Sequence, residues 1–219
     1  MLKLPSIPRG CPVSFSLIVV NALLYAGQLA TNEQITNLGL LYGPLIQDGQ
    51  WWRLATSGFL HGSLLHIGFN MYLLYMLGPQ LEQAFGSIRF SLMYLGSLFG
   101  GALAVMLFDW QAPTLGASAA VLGLAGSMGI ALHRQGIKPH QSPVFGLVVL
   151  NIALPLLVPG ISFWGHLGGV VAGILMGYLL IWLPLRSRGT SMSNTVSIGS
   201  AAVVLLAALS WIAARVGGF

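Results

Sequence analysis

Charge is what this sequence lacks. Only 6% of its 219 residues are charged, against about 25% in a soluble domain, and that excludes an ordinary water-soluble fold. Carboxylates are scarcest: Glu33, Asp48, Glu82 and Asp109 are the whole set. Cysteine is nearly absent. Cys11 alone excludes an intrachain disulfide and a multi-cysteine metal site. There is no His-Glu-x-x-His, and His61 and His66 stand five apart with no carboxylate near, so no metal or other cofactor is expected. The nine Lys and Arg form no stripe. The pI of 9.8 therefore reads as membrane topology, and no nucleic-acid partner is expected. Repeated halves and paired broken spans are missing, which weighs against a transporter or channel. No soluble domain is expected, and Met1 to Pro12 is too polar and short to read as a cleaved signal.

What is present is apolar sequence in long blocks. Hydrophobic residues make up 56% of the chain, and the mean hydropathy is +0.83. Seven segments stand out, at about 13–30, 58–78, 88–108, 115–132, 143–158, 161–184 and 196–213. Most approach the roughly 20 residues that a spanning helix needs, and blocks of that length favour helices over a barrel. The expectation is an all-α, polytopic membrane helical bundle lying in the lipid bilayer. The fourth and fifth segments are short and are expected to be shielded by other helices. Lys3, Arg9, Arg89, Arg134, Lys138, Arg186 and Arg188 fall on one side, and Arg53 and Arg215 on the other. The basic side is cytoplasmic. That places the N-terminus inside and, after seven spans, the C-terminus outside. The second, fourth and sixth spans then run in the same direction.

Four stretches carry chemistry. In the loop from Thr31 to Thr56, Tyr42-Gly43-Pro44 marks a turn. Trp51-Trp52-Arg53 is either a headgroup-level anchor or part of a plain connector. In the second span His66 and Asn70 share a helix face. Polar groups there are costly in lipid, so they serve a water-filled pocket or act as glue between helices. In the fourth span Ser118 sits among small residues, four past Thr114, a candidate N-cap. Amides of a helix's first turn lack intrahelical partners, and the dipole favours negative charge there. Such amides suit an oxyanion, and the position of the cap decides whether the Ser118 N–H is free. The competing reading is a packing face built from Gly116, Ala119, Gly123 and Gly126. In the sixth span Gly165, Gly169, Gly173 and Gly177 form a ladder for close helix approach. His166 lies beside its outer end, four past Ser162. Equal offsets of four put Ser118 and His166 about 6 Å below their helix starts, whereas His66 falls about 12 Å into its own span. A serine hydroxyl needs a base to become a nucleophile. With no acid in either span, the arrangement expected is a Ser118–His166 dyad, with His66 and Asn70 as polar partners for a developing oxyanion.

Taken together, these residues resemble the rhomboid family of intramembrane serine proteases. Trp52-Arg53 resembles that family's first-loop pair, and His61-xxxx-His66-xxx-Asn70 its second-span motif. Gly78-Pro79-Gln80-Leu81-Glu82 resembles the segment at the inner end of the second span. Gly116-Ala117-Ser118 resembles the nucleophile motif, and Gly165-His166-Leu167-Gly168-Gly169 the base motif. The resemblance implies a six-helix core, about 13–184, with one further helix at about 196–213, all in one unit over 1–219. It implies a serine endopeptidase of the cell membrane that cleaves single-span or membrane-anchored proteins near the outer face. Ser118 would be the nucleophile and His166 the base, and His66, Asn70 and Gly116 would surround the oxyanion. Trp52, Arg53, His61, Glu82, Gly165 and Gly169 would be framework. Ala119 departs from the family's Gly-x-Ser-Gly and could crowd the scissile carbonyl. A non-catalytic relative that binds or escorts membrane proteins is the alternative.

Overall fold

The computed structural model describes residues 10–158, 160–186 and 191–217. Lys3, Arg9, Pro159 and Arg188 lie outside the described residues, as does most of the linker after Arg186. The protein is an all-α membrane helical bundle. Helix α1 (Pro12–Ala30) opens with proline in its first turn, where the missing N–H costs nothing. The loop that follows is no plain connector. It folds into α2 (Gln34–Gly39), α3 (Gly43–Gln47) and α4 (Arg53–Thr56). The turn expected at Tyr42-Gly43-Pro44 is instead the start of α3, because Pro44 has the backbone angle that begins a helix. Then come α5 (Leu64–Phe85), α6 (Ser87–Phe108), α7 (Ser118–Arg134) and α8 (Pro143–Ala153). Helix α9 (Phe163–Gly177) continues through a wider turn, Tyr178–Trp182, into α10 (Leu183–Arg186). Helix α11 (Met192–Val216) ends the bundle.

Among the described residues, four helical stretches are long and apolar enough to cross a membrane: Pro12–Ala30, Ser87–Phe108, Phe163–Trp182 and Met192–Val216. The seven expected segments all contain helices, but three fall outside that group for physical reasons. Helix α5 has 22 residues and carries His66, Asn70, Pro79 and Glu82. Helix α7 has 17 and sits largely buried among its neighbours. Helix α8 has 11, followed by a tight turn at Leu154–Leu156.

The centre is built from α6, α7 and α9, whose backbones touch through glycine. A Cβ added to Gly169 would strike the backbone of Ala119, and one on Gly173 the backbone of Gly123. Between α6 and α9, a Cβ on Gly168 would meet Gly100 O at 2.6 Å. Where lipid removes the hydrophobic drive between helices, such close backbone packing holds them. Ser127 Oγ adds a hydrogen bond to Gly173 O at 2.7 Å across the α7–α9 seam.

Two polar devices fasten the outer helices. Glu82 is buried, yet its carboxylate accepts from Val13 N at 3.0 Å, Ser14 N at 2.8 Å, and the Ser14 and Ser87 hydroxyls, each at 2.7 Å. It thus satisfies first-turn amides of α1 that have no intrahelical partner, and it ties the end of α5 to the start of α6. On the other surface Arg53 is buried and donates to Gln50 Oε1, Leu40 O and Asn37 O at 2.8, 2.9 and 2.8 Å. Those bonds draw α2 and α3 onto α4. Trp51 and Trp52 are exposed beside it, and Trp52 Nε1 donates to Leu38 O at 3.1 Å. Helix α11 packs along α6, where Ser210 Oγ donates to Phe99 O at 3.0 Å. Trp110 Nε1 donates to Ala214 O at 2.9 Å, and its ring lies against both Gly43 and Gly217.

Candidate active site

Ser118 is the first residue of α7, and Ala117 precedes it at the cap position. The expected cap, Thr114, is engaged elsewhere. It exchanges backbone hydrogen bonds with Leu41, at 2.8 and 2.9 Å, and its hydroxyl donates to Ala112 O at 3.1 Å. Gly116 sets the later start. Its φ is +131°, outside the helical range, and its N–H donates to Ser57 O at 2.9 Å. The first backward amide bond of α7 is Val121 N to Ala117 O, at 3.0 Å. Among the described residues the amides of Ser118, Ala119 and Ala120 therefore have no acceptor, at the helix end where negative charge is favoured.

His166 stands in the first turn of α9. Ser162 caps this helix as its sequence position indicates, accepting from Gly165 N at 3.0 Å. His166 Nε2 lies 2.9 Å from Ser118 Oγ, and Nδ1 lies 2.8 Å from Asn151 O near the end of α8. A carbonyl can only accept, so Nδ1 bears the proton and Nε2 presents its lone pair to the Ser118 hydroxyl. No carboxylate orients the ring; a main-chain carbonyl does. The sequence held no signal for this partner, because every residue type has that oxygen.

His66 also falls in a first turn. The apolar segment begins near Gly58, but Ser63 caps α5 and accepts from His66 N at 3.2 Å, so the helix starts later than hydropathy alone indicates. Ser118, His166 and His66 therefore each lie in the first turn of alternate helices, and the depth mismatch expected for His66 disappears. The His66 ring rests over Gly116: a Cβ there would come within 2.7 Å of Cε1 and Nε2. Gly62 N donates to His66 Nδ1 at 3.5 Å, which leaves the ring proton on Nε2. Asn70 lies one turn deeper and is buried. Its amide donates to His66 O at 3.1 Å, and it forms no part of the cavity wall. His61 is buried with its ring edge-on to His66, centroids 5.1 Å apart. Gln28 holds the His61 backbone through bonds of 3.0 and 3.1 Å.

These groups open on a cavity of about 480 Å³ lined by Ser118, His166 and His66. Leu65 and Phe69 of α5 form one side, and Leu154 and Val158 beyond α8 the other. Gly101 and Ala102 of α6 also line it. Gly165 and Gly169 hold α9 against α6 and α7 at this level: a Cβ on Gly101 would meet Gly165 O at 2.9 Å. The Ala119 methyl points at Gly101, where an added Cβ would collide with it. Among the described residues no group of three or more His, Cys, Asp or Glu is placed to hold a metal ion.

The rhomboid domain family model matches residues 48–183, more than half of the sequence. The chain belongs to the rhomboid family. The match contains Trp52, the helices α5 to α9, and Ser118, His166 and His66 at the cavity. This rhomboid is 32% identical over 179 residues to RHOMBOID-like protein 6, mitochondrial, of Arabidopsis thaliana, covering 78% of the chain and 57% of that protein. It is 27% identical over 164 residues to Rhomboid protease GluP of Bacillus subtilis, covering 74% of the chain and 32% of that protein. It is 30% identical over 169 residues to Rhomboid-like protease 1 of Toxoplasma gondii, covering 70% of the chain and 58% of that protein.

Proposed function

We propose that the protein is an intramembrane serine endopeptidase acting through Ser118 and His166. The observation that carries this reading is the 2.9 Å contact from Ser118 Oγ to a histidine nitrogen whose opposite nitrogen is held by Asn151 O. In the reaction Ser118 Oγ attacks the scissile carbonyl carbon as its proton passes to His166 Nε2. The developing oxyanion is stabilised by the free first-turn amides of α7 and by the Nε2–H of His66. Asn70 acts one step removed, by fixing the turn that carries His66. His166 then delivers its proton to the leaving amine, and water hydrolyses the acyl-enzyme. Asn151 O steadies the imidazolium as an aspartate does in a triad, without adding a buried charge.

The substrates proposed are single-span or membrane-anchored proteins, because the cavity walls at Leu65, Phe69, Leu154 and Val158 are apolar, and Leu65, Phe69 and Val158 are exposed at the side of the bundle. The membrane proposed is the cell membrane, and the bias of basic residues supports an orientation with the N-terminus cytoplasmic and the cavity near the outer face. The chain is taken as one unit, 1–219, in which α11 belongs with the core it packs against.

The test is co-expression with a panel of tagged single-span proteins, with fluorophosphonate labelling of the purified protein alongside. Wild type should cleave a panel member and label covalently. Ser118→Ala and His166→Ala should each abolish both while the protein still inserts and folds. The double variant should be no worse than either single one, since groups acting as a unit are non-additive. Substantial turnover by either single variant would overturn the dyad. A protein that neither labels nor cleaves, yet retains membrane partners, would favour the escort reading.

A further inference from the structure

A second cleft lies between α7, α8 and α9, towards the ends of the bundle away from Ser118. Its volume is about 390 Å³, within the range of small-molecule sites, roughly 300–1,000 Å³. Its walls are apolar, from Ala125 and Ile130 on α7, Val148 on α8 and Ile174 on α9. Gly129 leaves one wall bare, and a Cβ built there meets nothing within 4 Å. From Ala125 to His133 the cleft runs about 12 Å along α7, most of the roughly 15 Å hydrocarbon depth of one leaflet.

Basic side chains stand beside its His133 end. His133 lines the cleft and stacks on Trp182, with centroids 5.5 Å apart and planes 14° apart. The Arg134 guanidinium lies over the same ring, 5.6 Å from its centroid, and donates to Trp182 O at 3.3 Å. Lys138 and His140 follow on the exposed connection to α8. Nothing in the chain answers this charge. No Asp or Glu occurs after Asp109, and Glu82 is already bonded to α1 and Ser87. Glu33 and Asp48 belong to the loop on the opposite surface.

We propose that this cleft binds an anionic phospholipid, with part of one acyl chain along Gly129 and the phosphate against His133, Arg134 and Lys138. An apolar groove within the bundle that opens onto unpaired cations at a bilayer surface fits such a lipid on both counts. A peptide helix fits neither the single bare glycine nor the narrow length.

The full chain, purified in neutral detergent, is titrated with phosphatidylglycerol, with phosphatidylcholine of the same chains, and with inorganic phosphate. Retained molecules are counted by native mass spectrometry. Phosphatidylglycerol should be retained and phosphatidylcholine largely lost. Arg134→Gln and Lys138→Gln should each weaken phosphatidylglycerol retention about fivefold. Gly129→Leu should fill the groove and abolish retention while Ser118 still labels with a fluorophosphonate. Retention by Gly129→Leu at the wild-type level, or equal retention of phosphatidylcholine, would overturn the proposal. So would binding of inorganic phosphate as tight as that of the lipid, which would mark an ion site. Should Gly129→Leu fail to fold, the two glutamine variants decide, because those side chains are exposed.

Discussion

Ala119 is the residue at which the chain departs from the family pattern, and the structure places its methyl in the notch opened by Gly101. The backbone is fitted to alanine there. Ala119→Gly should leave kcat/KM without a large gain and lower stability by up to about 1 kcal/mol, since glycine early in a helix costs that much. Steady-state kinetics beside a thermal melt would show it, and a tenfold rise in kcat/KM would contradict it. His66 and Asn70 separate in the same way. His66 meets the cavity, whereas Asn70 bonds to its backbone. His66→Ala should lower kcat by up to about 10²-fold, the scale of a lost oxyanion donor. Asn70→Ala should lower kcat less and the melting temperature more. Equal losses of kcat with unchanged melting would return Asn70 to the oxyanion. The histidines and the asparagine were legible in the sequence because such polar side chains are costly inside a bilayer, whereas Ser118 is one helical serine among several and stood out only through the small residues around it. The cap was not legible. Thr114 looked suitable, yet a single glycine at φ +131° moved the helix start to Ser118.

At the scale of elements, α8 holds a place its sequence did not announce. It is too short to span, and its end supplies the carbonyl that orients His166. The Asn151 side chain faces the other way in function, donating to Leu147 O at 2.8 Å. Asn151→Ala should therefore keep its turnover and lose about 1 kcal/mol of stability, the ordinary worth of one hydrogen bond. Loss of turnover with an unchanged pH profile would show that the side chain, not the carbonyl, does the positioning. Hydropathy located α1, α5 to α9 and α11, because long apolar runs survive an error of a few residues. It misplaced the start of α5, since Phe59 and Leu60 are as apolar as a helix interior but belong to a tight turn and extended chain before Ser63. It also gave no hint of α2 to α4, whose order comes from Arg53 binding three scattered acceptors.

For the whole molecule, the end of α11 meets the loop that carries α3. Arg215 Nη1 donates to Gln47 O, and Gln47 Nε2 donates back to Arg215 O, each at 3.4 Å. That loop follows α1, so it lies on the surface opposite the start of α1. A reporter fused after Phe219 should be active only on the non-cytoplasmic side, and one in the Thr31–Thr56 loop should agree with it. Opposite answers from the two would break the proposed topology. The glycine contacts among α6, α7 and α9 bear on heat as well. Ser118 and His166 ride on helices whose main chains touch, with no cushion of long side chains between them to absorb a small slip. A slide of α9 large enough to part the dyad must also part Gly169 from Ala119 and Gly173 from Gly123. On warming, the temperature at which labelling of Ser118 is lost and the temperature at which the bundle melts should be the same.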